Sequence, residues 1–242
     1  MDLLLLSNST NHGRQMFAHA AADLVEVAAG DPVVFVPYAL RDWDDYADRV
    51  TGALAQIGIE VTSAHRTPAP ARAILAARVV LVGGGNTFRL LDSLQGLGVV
   101  DGLAAQVRDG STRYVGSSAG TNVTCPTIRT TNDMPICRPR SFEALGLLPF
   151  QVNLHYVDAD PTSTYMGETR DERITEFLEE NDCPVLAMYE GSWLRVRGET
   201  ATMHGPARLF ARGGVQDLAD GDEVPPLLQA SPTWDLGPRP RP

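Results

Sequence analysis

The sequence predicts an α/β fold, with a mostly parallel central sheet flanked by helices and short antiparallel strands near the C-terminus. Short runs of consecutive apolar residues are typical of parallel strands that are buried on both faces. Segments with helical spacing separate these runs in the first half of the chain. Repeated strand–helix units imply right-handed crossovers, so the carboxyl ends of the strands meet at one edge, where ligands bind in such sheets.

Five strands and four helices alternate in the first half. We predict the strands at 3–6, 33–36, 59–64, 79–82 and 112–116, and the helices at 15–27, 42–57, 70–77 and 88–94. The middle, 121–150, is less regular, and we expect a long loop over the edge that holds the strand ends.

The second half continues with a strand at 151–154, a charged helix at 168–180 and a buried strand at 184–188. Short antiparallel strands are predicted at 193–197, 200–203 and 209–212. We expect one domain over residues 1–220. The Pro-rich segment 221–242 is expected to be an extended or mobile tail.

Composition excludes several classes of function. The 242 residues carry a net charge of −10 and no Lys, so there is no basic run for nucleic acid and no Lys for Schiff-base chemistry. No apolar run approaches roughly 18 residues, so we expect no membrane span. The three cysteines are far apart and form no CxxC, which predicts reduced thiols and a cytoplasmic protein.

The strand predicted at 112–116 ends in a G-x-S-x-G pattern, Gly116-Ser117-Ser118-Ala119-Gly120. In a nucleophile elbow the central Ser lies on a strained strand-to-helix turn, and side chains at the two glycines would collide with neighbouring backbone. Ser118 would then present its hydroxyl at the strand ends, beside free N–H groups of the following helix. A simple Gly/Ser turn is the alternative.

A second glycine-rich turn, Gly83-Gly84-Gly85-Asn86-Thr87, follows the fourth predicted strand. Glycines here allow the backbone to approach a ligand closely. A nucleotide-binding loop is one interpretation, but neither a G-x-G-x-x-G nor a G-K-[ST] pattern is present. We favour a loop that donates N–H groups to an oxyanion hole.

A nucleophilic Ser needs a base, and the base needs an acid to orient it. Among the five histidines, His155 and His65 each end a predicted strand, and position favours His155 without excluding His65. Glu190 ends a buried strand, whereas Asp158 and Asp160 lie in a loop. The order Ser…His…Glu differs from that of α/β-hydrolases. It is the order of glutamine-amidotransferase-like folds, with Ser in place of Cys.

The sequence resembles peptidase E, the α-aspartyl dipeptidase family of serine peptidases, over about its first 210 residues. That resemblance implies the class I glutamine-amidotransferase-like, flavodoxin-like fold. The segment 127–136 is the most specific of the matching segments, which are 2–10, 82–88, 116–120, 125–136, 167–170 and 190–193. The family pattern has Trp where this chain has Ser117 and Pro where it has Leu154.

The resemblance also implies the chemistry. Ser118 would be the nucleophile, His155 the base and Glu190 the third member, with the N–H groups of Gly85 and Ala119 as the oxyanion hole. The implied reaction is hydrolysis of Asp-Xaa dipeptides with a free N-terminal Asp, and it uses no metal and no cofactor. A cyanophycinase-like peptidase, an ammonia-donating amidotransferase subunit and a non-catalytic binding module on the same fold are the alternatives.

Selection of an acidic substrate by an acidic protein requires a local positive charge. With no Lys in the chain, only Arg or a cluster of N–H groups can bind the aspartyl carboxylate. We expect Arg129 or Arg170 in this role, and the segment Asn132-Asp133 as the acceptor of the free amino group. A small peptide is the expected partner, and a homodimer is the assembly that we consider.

Overall fold

A computed structural model describes residues 1–164 and 166–236 of the chain. Within these ranges the central sheet has seven strands in the spatial order β3-β2-β4-β5-β1-β8-β9. The strands are β1 (Asp2–Leu6), β2 (Val33–Val36), β3 (Val61–Ser63), β4 (Val79–Val82), β5 (Arg113–Ser117), β8 (Trp193–Arg197) and β9 (Thr200–His204). The five strands from β3 to β1 run parallel to one another, whereas β8 is antiparallel to β1 and β9 is antiparallel to β8. The predicted fold class is confirmed.

Four further strands form a separate sheet in the order β11-β10-β7-β6. These are β6 (Gln151–Tyr156), β7 (Val185–Tyr189), β10 (Ala207–Ala211) and β11 (Gly214–Leu218). Strands β6 and β7 are parallel, and the other pairs are antiparallel. The sequence predicts strands at 151–154 and 184–188, which correspond to β6 and β7. The partners of a strand depend on distant residues, so the separate second sheet was not predicted.

Eight α-helices lie in the described ranges. They are α1 (Ala21–Ala28), α2 (Trp43–Ala55), α3 (Pro70–Leu75), α4 (Thr87–Leu97), α5 (Val100–Asp109), α6 (Ala119–Asn122), α7 (Arg170–Glu180) and α8 (Pro225–Leu228). Helix α5 was missed by the sequence analysis, although Leu103, Ala104 and Val107 form a buried face with helical spacing.

The central sheet separates two cores, and β1 alternates between them. Leu4 and Leu6 pack with α1 and α2 on one face, whereas Leu3 and Leu5 pack on the other face, which also holds α4, α5 and the second sheet. Helix α7 covers the far side of the second sheet. Every leucine of β1 is completely buried, as expected for a strand covered on both faces.

The segment 121–150 contains buried Cys125, Ile128 and Leu148, so it contributes to the core as well as covering the strand ends. The C-terminal segment also departs from expectation over residues 221–236. Val224 and Leu227 are buried, α8 is helical, and Thr233 pairs with Asp182. The expected extended or mobile tail is therefore wrong for these residues, because their apolar side chains cover the sheet. Pro238, Pro240 and Pro242 lie outside the described residues.

The helices found in residues 1–164 and 166–236 include none that combines the length and the apolar character needed to cross a bilayer.

Candidate active site

Ser118 lies at the sharp turn between β5 and α6. Its φ of 50° and ψ of −113° are unusual for a residue with a side chain. Such a conformation costs on the order of 1–3 kcal/mol and persists only where the surroundings impose it. The Ser118 N–H donates to the Leu6 carbonyl at 3.1 Å, so the end of β1 helps to hold the turn.

Both glycines of the elbow are required by close backbone contacts. A Cβ on Gly120 would lie 2.0 Å from the Val82 carbonyl oxygen, and one on Gly116 would lie 2.7 Å from the Gly120 oxygen. Neither contact is compatible with a side chain. The collision predicted from the pattern is therefore confirmed, and the strand, turn and helix fit only with glycine at these positions.

Three side chains predicted from the sequence form a continuous hydrogen-bonded line. The Oγ of Ser118 is 2.9 Å from His155 Nε2, and His155 Nδ1 is 2.8 Å from Glu190 Oε1. If the Nδ1 proton is donated to the carboxylate, Nε2 is left to accept from the serine hydroxyl. The His155 and Glu190 side chains are 41% and 58% exposed, so solvent screens their attraction.

The competing candidates are occupied elsewhere. His65 Nδ1 contacts Ser63 Oγ at 2.8 Å, and its Nε2 contacts Asp44 at 3.1 Å. The Asp158 carboxylate accepts from Tyr189, and Asp160 accepts from Thr162. None of these four contacts involves the elbow.

A bulge in β6 directs His155 at the elbow. Leu154 pairs with Met188 and Tyr156 with Tyr189, so His155 is an extra residue on its strand, with a φ of 52°. The His155 N–H donates to Ser7 Oγ at 3.1 Å, and that hydroxyl donates to the Met188 carbonyl at 3.0 Å. Sequence analysis did not identify Ser7. Its only signal is its place directly after the apolar run of β1.

Glu190 is held by the same polar turn after β1. The N–H of Gly191 donates to Asn8 Oδ1 at 2.7 Å, and Asn8 Nδ2 donates to Thr10 O and Asn11 Oδ1. The turn that follows β1 therefore supports the loop of the acid, as Ser7 supports the base.

Gly85 and Ala119 each offer an N–H group beside Ser118. Neither group donates to an acceptor within the described residues. Gly85 has a φ of +135°, and a Cβ there would lie 2.6 Å from the Ala39 carbonyl oxygen, so the loop needs glycine. Helix α6 has four residues, so its contribution to an anion is limited to these local N–H groups rather than a long helix dipole.

Tyr46 of α2 holds the preceding glycine. Its hydroxyl accepts from the Gly84 N–H at 2.8 Å. Burial raises the pKa of Tyr46, although the Gly84 hydrogen bond opposes that rise, so the phenol stays neutral. Sequence reasoning did not identify this contact, because α2 and the glycine loop are far apart in the chain.

Comparison with known proteins identifies the family of the chain. The profile of peptidase family S51 matches residues 3–204. A Streptomyces coelicolor relative named peptidase E is 52% identical over 243 residues, covering 99% of this chain and all of the relative. A Drosophila melanogaster relative named probable alpha-aspartyl dipeptidase is 46% identical over 234 residues, covering 94% of this chain and 98% of the relative.

The chain belongs to peptidase family S51. The predicted family is confirmed, and with it the predicted class of enzyme, a peptidase. The solved structure of a putative peptidase E from Listeria monocytogenes has the same fold. It superposes with a TM-score of 0.63 at 22% identity and covers 84% of this chain and 96% of that chain.

The catalytic cavity of this S51 peptidase has a volume of about 430 Å³. Ser118, His155 and Glu190 line it together with Gly85 and Asp133. Arg49 is its one lining Arg among the described residues. Arg129, Arg170 and Asn132, which were expected to bind substrate, do not line it.

Arg129 is placed away from the site by the C-terminal segment. Its guanidinium pairs with both carboxylate oxygens of Asp235, at 2.7 and 3.2 Å, and lies 5.6 Å from the centre of the Trp234 ring. The pair with Asp235 raises the pKa of Arg129. The structure thus does not bring Arg129 to the elbow, because an acid that is distant in sequence neutralises it.

Arg170 lies closer to the base. Its Nη1 donates to Asn132 Oδ1, and Asn132 Nδ2 donates to the carbonyl of Leu154, the residue before His155. Burial lowers the pKa of Arg170, and Arg173 adds repulsion. No carboxylate pairs with Arg170 among residues 1–164 and 166–236.

Asp133 belongs to the segment 121–150 and lines the cavity beside the first residue of α4, Thr87. One of its oxygens, Oδ2, accepts from the Thr87 N–H at 2.8 Å and from the hydroxyls of Thr87 at 2.6 Å and Thr131 at 3.2 Å. Its Oδ1 accepts no hydrogen bond from the described part of the chain. A fixed carboxylate with one free oxygen is suited to a cationic group of a ligand.

Proposed function

We propose that this chain is a serine-type dipeptidase that hydrolyses Asp-Xaa dipeptides with a free N-terminal aspartate. The line from Ser118 through His155 to Glu190, beside two unused N–H groups, is the observation that carries the proposal. The name of the Drosophila melanogaster relative supports the α-aspartyl substrate class.

In the first half of the reaction His155 Nε2 removes the Ser118 proton as Oγ attacks the aspartyl α-carbonyl carbon. The developing oxyanion accepts from the N–H groups of Gly85 and Ala119. Each such donor contributes on the order of 3 kcal/mol in other serine peptidases. Glu190 holds the imidazole in the productive tautomer and stabilises its charged form.

The tetrahedral intermediate collapses when His155 donates its proton to the leaving nitrogen. The C–N bond breaks, the second amino acid leaves as a free amine, and an aspartyl ester of Ser118 remains. Water then attacks the ester while His155 accepts its proton, and Ser118 is regenerated as aspartate is released.

Two contacts support recognition of the aspartyl residue. We propose that Oδ1 of Asp133, a residue that lines the cavity and is fixed through Oδ2, accepts from the substrate α-ammonium group. Arg170 does not line the catalytic cavity, but it is half-buried without a carboxylate partner within the described residues. Because Asn132 joins it to the residue before His155, we propose Arg170, acting with Asn132, for the β-carboxylate. An isosteric amide in place of that carboxylate leaves the guanidinium without its counter-charge, so Asn-Xaa is expected to be a poor substrate.

We also propose a cytoplasmic protein, from its free thiols, and an acidic surface that does not bind nucleic acid. A homodimer stays a prediction, which light scattering coupled to size-exclusion chromatography would test.

A panel of Asp-Leu, Asn-Leu, Glu-Leu and N-acetyl-Asp-Leu tests the proposed function. We expect efficient hydrolysis of Asp-Leu, and kcat/KM lower by at least about 100-fold for the other three. Asn-Leu and N-acetyl-Asp-Leu each leave a charged group of the site without its counter-charge, and the longer side chain of Glu-Leu displaces the carboxylate from its partner. Equal kcat/KM for Asp-Leu and Asn-Leu would contradict the α-aspartyl specificity. Cleavage of the blocked peptide would contradict the role of Asp133.

A further inference from the structure

A second cavity, of about 640 Å³, adjoins the catalytic cavity. It lies between α2 and the segment 10–21 that follows β1. The two cavities share Thr10, Met16 and Arg49 as lining residues. Ligand pockets commonly have volumes between about 300 and 1,000 Å³, so the second cavity is large enough for an amino acid side chain.

Arg49 stands where the two cavities meet. Its Nε donates to Asp45 Oδ2 at 2.9 Å, an exposed pair one helical turn away, and its Cζ lies 5.4 Å from the centre of the Tyr46 ring. Neither Nη group donates a hydrogen bond within the described residues. An exposed pair at this spacing is weak, so Asp45 leaves the guanidinium available.

The substrate has two ends, which the site separates. Asp133 contacts Thr87 at the start of α4, and Arg170 begins α7 beyond the second sheet, so both lie on the α4 side of the central sheet. Both are proposed to bind the aspartyl residue. Arg49 lies on the opposite face, which carries α2. With Ser118 between the two faces, an aspartyl residue on the α4 side directs the leaving residue toward Arg49.

We propose that Arg49 binds the free α-carboxylate of the leaving residue and that the second cavity accepts its side chain. This inference rests on the proposed dipeptidase function and adds a specificity determinant to it. A carboxylate held by a guanidinium favours substrates that end one residue after the cleaved bond. Peptides with an amidated C-terminus lack that charge.

The lining of the second cavity indicates which side chains it takes. Met16, Phe17, Ala53 and Ile57 provide apolar surface. Asp48 also lines the cavity, but Arg66 Nη1 pairs with it at 2.8 Å. We therefore expect a preference for apolar over acidic leaving residues, with several sizes accepted.

The first test compares Asp-Leu with Asp-Leu amide in the purified full-length chain and its Arg49→Met variant. The substitution keeps an unbranched, flexible side chain, shorter than that of Arg, and removes the charge and the N–H donors. We expect the ratio of kcat/KM for Asp-Leu over Asp-Leu amide to fall by about ten- to a hundredfold, mostly through KM, because a charge-assisted contact is lost. Arg78→Met is the matched control. Arg78 directly precedes β4, at the sheet edge opposite to the one that holds Ser118, and it also pairs with an Asp, Asp31.

The second test fills the cavity from helix α2. Gly52 lines it, and a Cβ there would meet nothing within 4 Å. We expect Gly52→Leu to lower the ratio of kcat/KM for Asp-Leu over Asp-Gly at least about tenfold, because the new side chain occupies the space of the leaving residue. Gly96→Leu on α4 is the matched control, since its Cβ would also be unobstructed.

The outcomes separate the two proposals. An unmutated enzyme that cleaves no Asp-Xaa peptide would refute the proposed function. Two results with an active unmutated enzyme would overturn only the role of Arg49. In one, the Arg49→Met variant loses activity equally on Asp-Leu and on its amide. In the other, the variant keeps its activity on both substrates. A loss of the preference for Asp-Leu over Asn-Leu would assign Arg49 to the aspartyl β-carboxylate instead.

Discussion

The two halves of the proposed catalytic triad, Ser118 on one side and His155 with Glu190 on the other, are built differently. The nucleophile half, Ser118 with Gly116 and Gly120, belongs to the central sheet and is held by backbone contacts that leave no room for a Cβ. The base half, His155 and Glu190, comes from β6 and from the end of β7 in the second sheet and is partly exposed to solvent. It is joined to the first half through Ser7 and Asn8, which follow β1.

The two halves are therefore positioned by two different means, close packing of the backbone and hydrogen bonds. Close packing admits one residue type at each position and tolerates no change. Hydrogen bonds from a neighbouring strand orient a side chain without filling all the space around it, so removal of one such bond is expected to reduce activity only in part. We therefore expect substitutions in the nucleophile half to abolish activity or folding, and those in the polar connection to reduce activity by degrees.

The largest effect is expected for Ser118→Ala. Removal of the nucleophile should lower kcat on Asp-Leu by at least about 10⁴-fold without unfolding the chain, because triad members act as a unit. Steady-state kinetics and circular dichroism would measure the two effects. Ser117→Ala is the neighbouring control, and a comparable loss in that variant would leave the identity of the nucleophile undecided. A folded Ser118→Ala variant with substantial activity would refute the assignment.

His155→Ala should lower kcat nearly as much, whereas His65→Ala should change it little because His65 contacts Ser63 and Asp44. Glu190→Gln should cost less than His155→Ala, since it chiefly disturbs the imidazole tautomer. The three variants are compared by kcat at saturating Asp-Leu. The reverse ranking of the two histidines would contradict the assignment of the base.

Gly120→Ala tests the packed half through stability. The added Cβ would lie 2.0 Å from the Val82 carbonyl oxygen, so β4 or the elbow must move. We expect a loss of about 3 kcal/mol or more in the free energy of unfolding, at the upper end of overpacking costs. Urea denaturation measures it against Gly96→Ala, where a Cβ meets nothing within 4 Å. Equal stability of the two variants would show that the elbow is not tightly packed.

Ser7→Ala tests the polar connection and should have the smallest effect. The Ser7 side chain is completely buried, and its loss leaves the His155 N–H and the Met188 carbonyl without their partner. We expect kcat to fall roughly tenfold with KM nearly unchanged, in line with a loss of 1–3 kcal/mol for unsatisfied buried groups. Ser63→Ala, which removes a similar contact to His65, is the control. A KM effect alone would argue against a role in positioning His155.

The sequence by itself determined the features that depend on neighbouring residues. The parallel strands follow from apolar runs, and the elbow follows from two glycines whose missing side chains the tight turn requires. The glycine loop before α4 follows from the same kind of signal, and its role in an oxyanion hole stays a prediction. Each of these signals is complete within a few consecutive positions, so a single sequence contains it.

The tertiary structure alone decided the features that depend on distant pairing. Residues alone left His155 and His65 open, and the family resemblance favoured His155. The bulge in β6 and its contact with Ser7 place that histidine at the elbow. Arg129 pairs with Asp235 and does not line the catalytic cavity, whereas Arg49 of α2 does. Which side chains meet across a sheet edge depends on strand order and on contacts between distant residues, and neither is encoded in the local spacing of residues.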